Sequence, residues 1–211
     1  MGEAAESACH WLLLRLAGRL SDRLLWRFRD WLAAGALPEL SHSVPLTLLR
    51  ERIGLTTDEL RLLDSALRPY GADVGLIRSI RELDEVPEPD FTFSPEPPTR
   101  TGLGDSHAVV LGAMLRDRPG IGEVRASWRR TRSGGMPRRI LLVSTLNGAV
   151  ALTGELQRVQ RALGEHDPCV EVLPADMTPT AYHRAALAAS ELLCTGGMSA
   201  TDPMRTPSGI R

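Results

Sequence analysis

The segment from Arg138 to Pro174, RRILLVSTLNGAVALTGELQRVQRALGEHDPCVEVLP, most constrains the fold of this chain. It begins with RILLVST, which is apolar on both faces and therefore predicts a central strand. A helix is predicted over 149–163, with an apolar stripe of Leu152, Leu156, Val159 and Leu163. CVEVLP then predicts a second strand. Two strands joined in this way run parallel with a right-handed crossover, so the chain contains a sheet with a parallel pair.

The turn between the first strand and the helix is where many such units bind a nucleotide. A dinucleotide fingerprint has three spaced glycines, which let the backbone approach the pyrophosphate at the helix N-terminus. Here STLNGAV has Gly148 alone, and the next strand ends in Leu173 and Pro174 rather than in an acid that holds a ribose. We therefore expect this turn to be scaffold, and we expect no cofactor.

The remainder of the second half predicts a small mixed α/β sandwich. A helix is expected near 106–116, and EVRASWRR alternates like a half-buried strand that pairs with RILLVST across the turn TRSGGMP. A last helix is predicted over 178–194. The predicted sheet has three strands, or four if DFTFS forms a further one, and its helices lie on one face. With the fourth strand, the element order resembles a ferredoxin-like arrangement.

The first part of the chain, residues 1–86, predicts an all-helical bundle of five short helices. In SDRLLWRFRDWLAAG, Ser21 is the expected N-cap and Gly35 the expected stop. TTDELRLLDSALRPYG has a capping box formed by Thr56 and Glu59. Asp73 caps another short helix, and two more helices are expected over 5–20 and 44–53.

Composition divides the chain into two domains and gives an α+β fold class. Residues 87–105 are rich in proline and predict an extended linker, with a short strand over 90–94. The α/β domain is expected over 106–194. Residues 195–211 are small, polar residues with Pro and Gly, and predict a disordered tail.

Several chemistries are disfavoured by what the sequence lacks. All 25 basic residues are arginines, so a Walker-type loop has no lysine, and only the N-terminal amine is available for a Schiff base. The three cysteines lie far apart, without spacing for zinc. No nucleophile elbow or HExxH motif is present. We expect no catalytic residues and no metal site, although side chains such as His166 and His183 could still meet in the folded chain to form an enzyme site.

The N-terminal stretch carries acids, and arginines interrupt its apolar run, so neither a signal peptide nor a membrane span is predicted. A cytoplasmic protein is therefore expected.

The strongest charge feature is the predicted hairpin VRASWRRTRSGGMPRR. Its six arginines have no acid between them. They are Arg125, Arg129, Arg130, Arg132, Arg138 and Arg139. Guanidinium groups bind carboxylates and phosphates in a bidentate manner, so this hairpin is a candidate contact for an acidic protein or for nucleic acid. The plainer alternative is a solvated edge that prevents aggregation.

Two other features are candidate contact sites. Residues 48–67 resemble a helix-turn-helix pattern around Gly54, but the second helix carries Asp58, Glu59 and Asp64, which would repel DNA phosphates. Trp11 and Trp26 lie away from the apolar stripes of their helices. A tryptophan beside arginines is typical of a protein-binding hot spot, and the alternative is packing within the chain.

The sequence thus predicts a non-enzymatic cytoplasmic accessory protein. It would bind an acidic protein partner, or a second copy of itself, through Trp11, Trp26 and the arginine hairpin. The net charge of −1 favours a protein partner over nucleic acid, which stays the alternative partner for the same hairpin and the helix-turn-helix-like corner.

Overall fold

The computed structural model describes residues 2–96 and 106–197. The five predicted N-terminal helices are confirmed. They are α1 (Gly2–Arg15), α2 (Asp22–Ala33), α3 (Leu37–Arg50), α4 (Thr57–Leu67) and α5 (Val74–Ser79), with a 3-10 turn at Arg68–Tyr70. A two-stranded parallel sheet of β1 (Leu55–Thr56) and β2 (Glu82–Leu83) holds the two ends of the α4–α5 segment together.

Predicted capping signals explain where α4 and α5 begin, whereas Ser21 stands at the N-cap of α2 without a side-chain cap hydrogen bond. Thr56 Oγ1 accepts the backbone N–H of Glu59 at 3.4 Å, and the Glu59 carboxylate accepts the N–H of Thr56 at 3.0 Å, so the capping box is confirmed. Asp73 caps α5 as predicted. Helix α3 starts earlier than the expected residue 44, because Pro38 fits the first turn, where its missing N–H costs nothing.

The second half of the chain forms the main sheet. Its strands are β3 (Phe91–Ser94), β4 (Ile121–Thr131), β5 (Arg138–Thr145), β6 (Cys169–Pro174) and β7 (Glu191–Thr195). Its helices are α6 (Ser106–Leu115), α7 (Ala149–Ala162) and α8 (Ala181–Ala188). The β4–β5 hairpin and the parallel β5–β6 pair, joined through α7, are both confirmed. The strand predicted over 90–94 is β3, which pairs antiparallel with β4.

The end of the chain differs from the sequence prediction. The last helix stops at Ala188, and Glu191–Thr195 forms β7, which pairs with β4 beyond the stretch that β3 occupies. The edge of β4 therefore overrides the helical preference of the segment ELLC. Thr195 belongs to this strand rather than to the predicted tail, whose residues from 198 onward lie outside the described range.

The sheet is a five-stranded mixed sheet in the order β3-β4-β5-β6, with β7 also on β4. The ferredoxin-like arrangement is not confirmed, because its split βαβ units place a strand between those that flank a helix, whereas β5 and β6 are direct neighbours. Helices also cover both faces instead of one. One face of β5 packs with α1, α2 and α8, and the other with α6 and α7.

The helical part and the sheet share a core. Ile140 and Leu142 of β5 belong to the same buried cluster as the leucines of α1 to α4, together with Tyr182 of α8. Helix α2 also packs along α7. The two-domain division stays a prediction, and residues 97–105 of the expected linker lie outside the described part of the chain. Within residues 2–96 and 106–197, none of the helices has the length and apolar character needed to cross a bilayer.

Candidate functional site

The pleat of β4 divides the hairpin arginines between its two faces. Odd-numbered residues face α8: the Ser127 hydroxyl donates to the Ala189 carbonyl at 2.7 Å, and the Arg129 guanidinium donates to the Tyr182 hydroxyl. Even-numbered residues face the other way, where Val124 packs with α6. The predicted arginine cluster is therefore not a single surface.

Arg129 is the most deeply placed of these arginines, with 8% of its surface exposed. Its guanidinium donates to Asp22 at 2.5 Å and to the Tyr182 hydroxyl at 2.9 Å, and it lies 4.6 Å from the centroid of the Phe91 ring. Arg129 thereby ties β4 to the start of α2 and to α8. So little of it is exposed that it cannot anchor a partner.

Two further arginines also meet acids of the same chain. Arg125 Nε donates to the Glu123 carboxylate at 2.7 Å. Arg138 lies 3.7 Å from both the Asp22 and Asp167 carboxylates. These contacts reduce the positive field that the sequence predicts for the hairpin.

The end of the hairpin is more open. Arg130 and Arg132 are exposed, and Arg132 Nε lies 3.9 Å from the Asp90 carboxylate. Met136 in the turn is 89% exposed. We call Arg130, Arg132 and Met136 the hairpin tip. Among the six predicted arginines, Arg130 and Arg132 are the most exposed.

A shallow groove adjoins the hairpin tip. It has a volume of about 320 Å³ and lies between β3 and Trp128. Trp128 is half-buried, and the Arg139 guanidinium lies 6.0 Å from the centroid of its ring. The groove leaves part of this ring accessible.

The two predicted tryptophan anchors lie at separate places. The Trp26 indole N–H donates to Asp167 at 2.9 Å, and the Arg161 guanidinium lies 4.6 Å from its ring centroid. Trp26 is thus engaged by its own chain. Trp11 is half-buried and lines a different cleft, next to the loop after β5. Asp167 brings Trp26 close to the hairpin, since its carboxylate also lies 3.7 Å from Arg138, whereas Trp11 lies apart from both.

Sequence reasoning missed a buried polar network between α2, β6 and α8. Arg29 donates to both oxygens of the Glu171 carboxylate at 2.9 and 2.7 Å, and to the Val170 and Leu13 carbonyls at 2.7 and 3.2 Å. His183 Nε2 lies 3.1 Å from the same carboxylate. Burial raises the pKa of Glu171, but the charges of Arg29 and His183 outweigh it and hold this pKa at about 2.

This network connects the helical part to the sheet and is closed to solvent. Arg29, Glu171 and His183 each have 2% or less of their surface exposed. A substrate therefore has no access to the His183–Glu171 pair. A signal for the network is present in the sequence, since an acid inside a strand that is apolar on both faces requires a buried cation.

The cysteines do not form a reactive centre. All three are buried as free thiols. Burial raises the pKa of Cys9 to about 12 and also raises the pKa of Cys169 and Cys194, so the nucleophilic thiolate is scarce at neutral pH. Within the described ranges, no group of three or more His, Cys, Asp or Glu side chains is arranged to hold a metal ion.

In the helix-turn-helix-like corner, arginines pair with neighbouring acids of the same segment. On α4, Arg61 pairs with Asp58 at 2.9 Å, and Arg68 just after the helix pairs with Asp64 at 3.1 Å. The backbone of Gly54 lies against Arg81 and Leu83, where a Cβ would meet the Arg81 carbonyl oxygen at 2.8 Å. These pairs leave little positive charge for a DNA phosphate.

Comparison with known proteins adds no relative. No protein-family model matches the chain, no curated protein resembles it significantly, and no solved structure matches its fold.

Proposed function

We propose that this chain is a non-enzymatic, cytoplasmic interaction protein that binds an acidic protein surface through the hairpin tip. The observation that carries the proposal is the exposure of Arg130, Arg132 and Met136 at one end of the β4–β5 hairpin. In this proposal the helical part, 1–86, supports the sheet, and the part 106–194 carries the contact surface.

The chemistry of the tip suits recognition of carboxylates with an apolar contact beside them. Guanidinium groups form bidentate hydrogen bonds with carboxylates and orient a partner. Met136 and the accessible part of Trp128 supply apolar area, which contributes most of the affinity in such contacts. The groove beside β3 extends this area along the sheet edge.

A protein partner is favoured over nucleic acid by the number of available charges. Nucleic-acid binding gains affinity with each phosphate that an arginine neutralises. Arg125, Arg129 and Arg138 already contact Glu123, Asp22 and Asp167, and the chain carries a net charge of −1.

Self-association is a second candidate because this chain has its own exposed acidic segment. Glu82, Asp84, Glu85, Glu88 and Asp90 are exposed before β3. The hairpin tip of one copy is complementary in charge to this segment of another copy.

The test compares the double variant Arg130→Glu/Arg132→Glu with the matched control Arg61→Glu/Arg68→Glu, whose arginines are also exposed beside acids. The probes are a fluorescent oligoglutamate peptide and a single-stranded DNA 20-mer. We expect the peptide to bind at least 10-fold more weakly to the tip variant than to the control. Unchanged peptide binding by the tip variant would refute the proposal, and tighter, steeply salt-dependent binding of the DNA would replace it with nucleic-acid binding.

Light scattering after size-exclusion chromatography tests self-association. A mass that rises with protein concentration in the wild type and the control, but not in the tip variant, identifies the second copy as the partner. A monomer at every concentration excludes it.

A further inference from the structure

A cleft of about 650 Å³ opens at the end of the sheet opposite to the hairpin tip. It lies where β5 ends at Thr145 and β6 ends at Pro174, between the loop that leads into α7 and the first turns of α1. Ligands of α/β sheets bind in the crevice at the carboxyl ends of parallel strands. The volume is in the range of small-molecule sites. Neither the arginine hairpin nor the proposed partner contact uses this place.

His10 in the wall of the cleft has an unused hydrogen-bond acceptor. Its Nε2 lies 2.9 Å from the Val172 carbonyl oxygen, which can only accept, so Nε2 carries the proton and Nδ1 presents a lone pair. No group of residues 2–96 or 106–197 donates to this Nδ1, although His10 is only 1% exposed. Burial lowers the pKa of His10 to about 4, so the imidazole stays neutral at pH 7. A buried acceptor of this kind calls for a donor from a ligand.

The acidic side chains that line the cleft give it negative charge. Glu3 and Glu6 of α1 and Asp176 after β6 line it, and no arginine lies among its lining residues in the described part of the chain. Carboxylates accept hydrogen bonds and attract cations. This composition disfavours phosphate groups and favours an ammonium group.

The opposite wall of the cleft, at the start of α7, has backbone N–H donors that suit an anionic group. The N-cap of α7 is Gly148, whose φ of +65° is in the left-handed region and which has no side chain to cap the helix. The N–H groups of Ala149, Val150 and Ala151 in its first turn have no intrahelical acceptor, and these residues line the cleft. With the helix dipole, these donors favour a carboxylate.

We propose that this cleft binds a small zwitterion with an aliphatic group, which is the chemical class of the aliphatic amino acids. The ammonium group lies toward His10 and the acids of α1, and the carboxylate lies at the first turn of α7. The aliphatic group packs against Trp11. Because His10 is only 1% exposed, the proposal requires that side chains beside it change rotamer when the ligand binds, a change that is common on binding.

The test is isothermal titration calorimetry at pH 7 with three matched probes. L-Leucine has both charges, L-leucine methyl ester has only the ammonium, and N-acetyl-L-leucine has only the carboxylate. We expect leucine to bind, and each of the other two to bind at least 10-fold more weakly. Absence of heat with 5 mM leucine on folded protein overturns the proposal.

The half-charged probes test each end of the assigned orientation. N-acetyl-L-leucine binding as tightly as leucine overturns the ammonium site at His10 and the acids. The methyl ester binding as tightly as leucine overturns the carboxylate site at α7.

Two variants at other positions locate the site, so the test does not require a substitution of the buried His10 to fold. Glu6→Gln removes one acid of the cleft, and we expect it to weaken leucine binding about 5-fold to 10-fold. The control is Glu39→Gln, at an exposed glutamate in the first turn of α3, and it should leave binding unchanged. Equal affinities for the two variants overturn the assignment. Arg130→Glu/Arg132→Glu should bind leucine as the wild type does, because the hairpin tip lies at the other end of β5.

Discussion

The buried ion pair of Arg29 and Glu171 predicts a large loss of stability when one of its two partners is removed. Arg29→Met removes two hydrogen bonds to the carboxylate and two to backbone carbonyls, and leaves the buried Glu171 carboxylate with the His183 imidazole as its hydrogen-bond partner. Removing one member of a buried ion pair costs about 3–5 kcal/mol, because the other charge is left uncompensated. This is a large share of the roughly 5–15 kcal/mol that stabilises a typical domain.

The measurement is urea unfolding followed by the fluorescence of the four tryptophans. We expect the free energy of unfolding of Arg29→Met to fall by about 3–5 kcal/mol, and the double variant Arg29→Met/Glu171→Met to recover more than half of this loss. The control Arg27→Met, at an exposed residue that stacks on Trp31, should lose less than about 1 kcal/mol. A loss below about 1 kcal/mol for Arg29→Met with an unchanged m-value, or a double variant no more stable than the single one, would refute the reasoning.

Two further predictions concern pH and packing. The pKa of His10 is lowered to about 4 from 6.5, so the unfolded state binds more protons between these values and stability falls as the pH drops from 6.5 to 4. In urea titrations at several pH values, His10→Gln should weaken this dependence by up to about 1.4 kcal/mol per pH unit. Gly154→Ala should lower the free energy of unfolding by about 1–3 kcal/mol, since its Cβ would lie 2.4 Å from the Ala33 Cβ. Gly112→Ala, whose Cβ would lie at an ordinary contact distance of 3.9 Å from the flexible Arg116 side chain, should raise that free energy by about 0.5–1 kcal/mol; equal effects of the two would contradict the packing argument.

Local signals predicted much of the fold. The capping box at Thr56 and the cap at Asp73 gave helix starts that the structure confirms, because these signals act within a few residues. The β4–β5 hairpin and the crossover through α7 were also predicted, since apolar periodicity and a short turn determine them.

The elements that were wrong depend on distant neighbours. The segment Glu191–Thr195 has residues typical of a helix, but the free edge of β4 offers it backbone hydrogen bonds, and the sequence does not show that β3 leaves this edge unoccupied. The covering of both sheet faces likewise depends on how the N-terminal helices pack on β5 and β6, which no local pattern encodes.

The buried network was partly predictable from its individual members. Arg29 lies four residues after Leu25 and three before Leu32, in the middle of the apolar stripe of α2, and Glu171 lies within the apolar strand β6. Each position predicts a buried charge that needs a partner. The pairing itself joins residues 142 positions apart, and only the fold brings them together.

The alternation of β4 also changes how the arginine hairpin is understood. An inward residue such as Arg129 contributes its charge to the contact between β4 and α2, whereas Arg130 next to it contributes to the solvent-facing field. Loss of partner binding in Arg129→Glu is therefore expected to follow loss of folding, because the new carboxylate lies beside Asp22 in a buried place. Loss of binding in Arg130→Glu is expected with an unchanged free energy of unfolding. Two neighbouring arginines with the same charge thus have different roles, and measuring binding and unfolding on the same variants separates recognition from support.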